Sequence, residues 1–78
     1  MANNSRLTTA EVRRAIQRGI FTVTSETGRG YYVTCFRTGF GGAAPVRLSQ
    51  SKECVRPSTA RRYGESLVRA ALTEKERT

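Results

Sequence analysis

The chain has 78 residues, of which 14 are Lys or Arg and 6 are acidic, for a formal charge of +8 at pH 7. It has no His, all six acids are Glu, and twelve of the fourteen cations are Arg. This inventory supplies no Ser-His-Asp or Cys-His constellation, no paired aspartates and no His-ligated metal, so the expectation is a binding protein with no catalysis, metal or cofactor.

A chain this short supports one thin core and little room for a deep substrate cavity. No apolar run approaches the roughly 18 residues that span a bilayer, and Met1 to Arg6 lacks the apolar stretch of a signal peptide. We therefore expect a cytoplasmic protein without a membrane partner. Cys35 and Cys54 have the spacing of neither a redox pair nor half a zinc site, which leaves two buried thiols in a reducing compartment. A disulfide would require their Cα atoms within about 7 Å.

The expected domain is residues 7–72, between a disordered N-terminus (1–6) and a frayed tail (73–78). Its first element is a helix from Leu7-Thr8-Thr9-Ala10-Glu11-Val12 through Arg18. Thr8 and Glu11 form a capping box, Leu7 can staple onto Val12, and Gly19 supplies the left-handed C-cap. The inward stripe is Val12, Ala15 and Ile16, while Arg13, Arg14, Gln17 and Arg18 face outward. Two β-rich runs follow, Ile20 to Ser25 and Tyr31 to Phe36, joined by the five residues Glu26-Thr27-Gly28-Arg29-Gly30 as a hairpin. Thr38-Gly39-Phe40-Gly41-Gly42 reads as a mobile loop whose Phe40 is either a partner-binding tip or a plug folded onto the core.

A third strand spans roughly Ala44 to Ser49, with Pro45 marking an edge. A fourth at 53–56 stays open. The last element is an amphipathic helix with Ser58 as N-cap. Ala60, Tyr63, Gly64, Leu67, Val68, Ala71 and Leu72 form its apolar stripe, and Glu65 is spaced to pair with Arg69. The predicted fold class is α+β: a short N-terminal helix, a three-stranded antiparallel sheet and a long C-terminal helix packed on one sheet face.

Strand alternation then divides the sheet. Phe21, Val23, Tyr31, Val33, Cys35, Ala44, Val46 and Leu48 are assigned to the core face. Ile20, Thr22, Thr24, Tyr32, Thr34, Phe36, Arg47 and Ser49 are assigned to the other. That second face is either a plain solvated surface, with Ile20 and Phe36 covered by the first helix, or a recognition surface.

On the recognition reading, Thr22, Thr24, Tyr32, Thr34 and Arg47 meet bases, and Arg13, Arg14, Arg18 and Arg29 meet phosphates, because an Arg fork binds phosphate or guanine through two bonds. The expected function is a small nucleic-acid-binding protein, duplex DNA favoured over RNA, acting as a monomer or homodimer in a regulatory or accessory role of the phage or mobile-element type. The alternative is a small protein-interaction module or inhibitor docking on a host protein through exposed apolar and basic residues, with Phe40 as the partner-binding candidate. In element order alone the chain is similar to double-stranded RNA-binding domains, and its three strands followed by a helix look like AP2-type and integrase arm-binding modules. The Ser-Lys-Lys stretch of the first family is absent, and no residue role is carried over.

Overall fold

The structure, a computed structural model, describes residues 6–75. Most of the expected disordered N-terminus (1–5) and the last three residues of the expected tail lie outside the described residues. The elements are α1 (Thr9–Gln17), β1 (Ile20–Glu26), β2 (Tyr31–Arg37), β3 (Val46–Gln50) and α2 (Pro57–Lys75). They form the expected α+β fold, with an antiparallel sheet in the order β1-β2-β3 and α2 packed on one face.

α1 starts where its capping chemistry dictates. Thr8 N–H donates to Glu11 Oε1 at 2.8 Å, and Glu11 N–H donates to Thr8 Oγ1 at 3.1 Å, so two N-terminal donors are satisfied reciprocally. It ends at Gly19, whose φ of +72° is the left-handed conformation that suits glycine. The expected inward stripe is corrected: only Ala15 is buried, while Val12 and Ile16 are exposed. A nine-residue helix lying beside α2 presents one narrow line of contact, and the small Ala15 occupies it.

α2 follows its expected pattern. Ala60, Gly64, Val68, Ala71 and Leu72 are buried, and Tyr63 and Leu67 are half-buried. Its start differs by two residues. Pro57 is the first helical residue, and Ala60 N–H donates to the Arg56 carbonyl at 3.1 Å, so Ser58 falls in the first turn instead of capping. Proline suits that position because its missing N–H would lack a helical partner anyway. The helix continues past Leu72 to Lys75. Arg69 turns away from the expected helical pair with Glu65 and grips Glu11 with two bonds, Nε–Oε2 at 3.0 Å and Nη2–Oε1 at 3.1 Å, while Nη2 also donates to the Arg6 carbonyl at 2.8 Å.

The core is one thin layer between helices and sheet: Ala15, Ile20, Cys35, Val68, Ala71 and Leu72, with Leu7 and Leu67 packed against it. Each large apolar side chain buried there contributes about 1.5–3 kcal/mol, so losing one is a large fraction of what so small a domain can have. Cys35 and Cys54 are both free thiols; Cys35 is fully buried as expected, but Cys54 is only half-buried, because it sits in the segment bridged to Tyr31 at the end of the sheet and not in the core. Burial pushes the Cys35 thiol pKa up, which makes it an inert packing residue. The open question of a fourth strand resolves to a single bridge between Tyr31 and Cys54. Among the described residues no helix is long and apolar enough to cross a membrane.

Candidate nucleic-acid interface

The register of the β1–β2 hairpin decides which side chains face away from α2. Ile20 opposes Arg37 and Glu26 opposes Tyr31, so β1 is one residue longer than expected and the loop shrinks to the four residues Thr27 to Gly30. Thr27 closes that turn. Its Oγ1 accepts from the Arg29 and Gly30 N–H groups at 3.0 and 2.9 Å and donates to Glu53, while its own N–H donates to the Gly30 carbonyl at 2.8 Å. A one-residue change in register moves every side chain of a strand to the other face. β1 is therefore inverted relative to the expectation.

The uncovered face carries Phe21, Val23 and Ser25 of β1 with Phe36, Thr34 and Tyr32 of β2 opposite them. Ile20, Thr22 and Thr24 lie on the helix side with Cys35 and Val33. Gly64 of α2 confirms this: its Cα faces Val33 and Thr22. The expected cover of Ile20 and Phe36 by α1 is likewise corrected, since Ile20 is in the core and Phe36 is on the opposite, uncovered side.

β3 adds a second irregularity. Thr34 opposes Gln50 and Cys35 opposes Ser49, but Phe36 opposes Arg47, which leaves Leu48 as an extra residue in a bulge. On a regular strand, residues 47 and 50 would point to opposite faces. The bulge restores them to the same, uncovered face, where Arg47 Nη1 lies 3.4 Å from Gln50 Oε1. Ser49 consequently turns to the helix side, against its expected assignment. Ala44, Val46 and Leu48, expected in the core, are exposed, because α2 runs along β2 and barely reaches β3.

The predicted binding residues thus divide across the sheet. Tyr32, Thr34 and Arg47 share the uncovered face. Thr34, only 7% exposed, offers little surface to a ligand. Thr22 and Thr24 lie on the helix side, as does α1 with Arg13, Arg14 and Arg18. Arg18 reaches back to the Leu72 carbonyl at 3.3 Å, near the C-terminal end of α2. Arg29 sits exposed at the hairpin tip as expected.

Sequence reasoning placed Phe36 on this surface but missed several other members. Phe21 and Phe36 stack across the strands with centroids 5.5 Å apart and planes at 21°, and Gln50 stands beside Arg47. Lys52 and Arg56 are exposed and join Arg29 at one end of the sheet, because segment 52–56 docks on the hairpin tip. Tyr31 and Cys54 exchange both main-chain bonds at 2.8 Å, and Thr27 holds Glu53. A strict four-residue count for the hairpin loop would have recovered the Phe pair; no local signal marks the bulge at Leu48.

Phe40 is 93% exposed. Gly41 and Gly42 both have positive φ and turn the chain so that Ala43 N–H donates to the Phe40 carbonyl at 2.9 Å, which makes this ring a tip and excludes the plug folded onto the core. Chemically, the uncovered face offers aromatic and aliphatic surface in its centre, a guanidinium and an amide along β3, and cations at one end. Comparison with protein families, curated proteins and solved structures finds no match to the chain.

Proposed function

We propose that the protein binds nucleic acid through the uncovered sheet face, with duplex DNA as the ligand class that its polar groups suit best. The observation that carries this reading is Arg47 beside Gln50, both exposed on one edge of the sheet face. Arg pairs with guanine and Gln with adenine through two bonds each in the major groove, and a strand carrying both presents a base-reading edge. The net charge of +8 supplies attraction to phosphate, and Arg29, Lys52 and Arg56 are the cations that would flank the reading edge. Tyr32 and the Phe21–Phe36 pair supply apolar contact on the same face.

Titration against salt with duplex and single-stranded oligonucleotides tests this. The affinity for duplex should fall with a log–log slope of about −0.9 per phosphate neutralised, and neutralising Arg29, Lys52 and Arg56 together should make that slope shallower. Arg47→Ala should cost about 1–3 kcal/mol against the preferred sequence and little against others. No binding to either form at about 50 mM salt would refute the proposal. A second reading, docking on a protein, is favoured by the almost fully exposed Phe40 and by half-exposed Val23. Loss of a protein partner with Phe40→Ala at unchanged DNA affinity would support it.

A further inference from the structure

The two edges of the sheet are not alike. β3 is five residues long, is entered from Pro45, is interrupted by the bulge at Leu48 and carries Arg47. These are the devices by which natural sheets prevent another strand from adding. β1 has none of them. It is seven residues long with unbroken register, contains no proline or cation, and bears its single charge at Glu26, the last residue.

The hydrogen-bond pattern shows which main-chain groups this edge presents. At the two ends of the hairpin, Thr38 N–H donates to the Gly19 carbonyl and Thr27 N–H to the Gly30 carbonyl. Bonded pairs alternate along an antiparallel ladder, so Phe21, Val23 and Ser25 bond to β2 and the N–H and C=O groups of Thr22 and Thr24 point outward. Both threonines are exposed, and Val23 between them is 44% exposed. On the helix side a groove whose lining includes Leu7, Thr22, Thr24 and, from α2, Arg61, Gly64 and Glu65 runs beside this strand, so the edge is open to approach.

We propose that β1 is the site of self-association: two copies pair their β1 strands antiparallel about a two-fold axis at Val23, joining the two sheets into one of six strands. Several observations choose a second copy as the occupant. A two-fold interface must be complementary to itself. Setting Val23 opposite Val23 places Thr22 opposite Thr24 in both directions, so the outward N–H and C=O of each threonine find partners. The same register puts like on like where that is favourable, Thr beside Thr on the helix side and Val beside Val on the uncovered side. It also sets Glu26 of each copy opposite Ile20 at the start of the other's β1, and no cation of either copy lies on the paired segment, despite the net charge of +8. The arrangement uses the strand edge and leaves Arg47 and Gln50 free, so it stands or falls separately from nucleic-acid binding.

Sedimentation velocity over a concentration series, with amide hydrogen exchange, is the test. The mass should rise toward twice the 8.6 kDa chain mass with concentration and with salt, and the Thr22 and Thr24 amides should gain protection in step. Thr24→Pro should abolish association with the fold intact, because it removes an N–H that points away from β2. Thr24→Lys, which keeps that N–H and sets like charges across the axis, should do the same if the proline variant fails to fold. A wild-type chain that stays monomeric with Thr22 and Thr24 exchanging freely at every concentration overturns the proposal, as does a dimer that survives in both variants. Protection of those amides only on adding an unrelated extended peptide would also overturn it, in favour of a foreign strand.

Discussion

Glu11 is where two requirements meet on one carboxylate. It accepts from the Thr8 N–H to complete the N-terminal cap of α1, and it accepts from Nε and Nη2 of Arg69 on α2, tying the two helices across 58 positions of sequence. The Arg69 guanidinium, followed by the Thr8 backbone N–H, lowers its pKa from 4.5 to about 2. A carboxyl whose folded pKa lies below its unfolded one contributes stability above the unfolded value and loses it as pH falls through the folded one. Stability should therefore decline between about pH 4.5 and pH 2. In Glu11→Gln, urea unfolding at a series of pH values should show a flatter acid limb over that interval and a lower midpoint at neutral pH; an acid limb unchanged from wild type would show that other carboxylates set it. The capping box itself was legible from Thr8 and Glu11 three residues apart. The partner of Arg69 was not, because Glu65 offered a local pair at the right spacing and only tertiary packing brings the α1 carboxylate closer.

At the scale of elements, glycines show how closely the pieces are fitted. A Cβ on Gly64 would meet Val33 Cγ1 at 3.4 Å and Thr22 Oγ1 at 3.7 Å, which is ordinary van der Waals contact. Gly64→Ala should accordingly stabilise the protein by up to about 1 kcal/mol through helix propensity, read as a raised melting temperature; destabilisation would mean that α2 is seated more tightly on the sheet. Gly30 is the opposite case. A Cβ there would run into the Cys54 carbonyl oxygen, so Gly30→Ala should cost about 1–3 kcal/mol and increase exchange of the Tyr31 and Cys54 amides, which hold segment 52–56 on the hairpin tip. The existence and type of all five elements follow from caps, periodicity and β-branched runs. Face assignment within the sheet does not, because it depends on parity. One extra paired residue at Glu26 inverts β1, and one unpaired residue at Leu48 re-aims Gln50, although neither changes the composition of its strand.

Across the whole molecule, the positive charge is spread over both sides of a thin slab, 36 × 34 × 18 Å in principal extents. The sequence alone suggested that the α1 and sheet arginines share one surface; the inverted β1 separates them, with Arg13 and Arg14 in the helix layer and Arg47 on the uncovered face. At about 20 mM salt the Debye length is about 20 Å, longer than the 18 Å thickness of the slab, so cations on opposite faces repel one another; at about 0.1 M, where it is about 10 Å, that repulsion is largely screened. The excess of eight positive charges therefore works against the folded state, which concentrates charges that the unfolded chain disperses. Screening should relieve this: the melting temperature should rise as sodium chloride increases from about 20 mM to about 0.5 M, even though the half-buried Glu11–Arg69 pair weakens over the same range. Nucleic-acid affinity should move the other way, falling steeply across that interval as released counterions cease to favour binding. Parallel thermal melts and binding isotherms in one salt series would separate the two effects. A melting temperature that falls with salt would mean that local ion pairs outweigh global repulsion, and the net charge would then cost the fold little while still attracting a polyanionic partner.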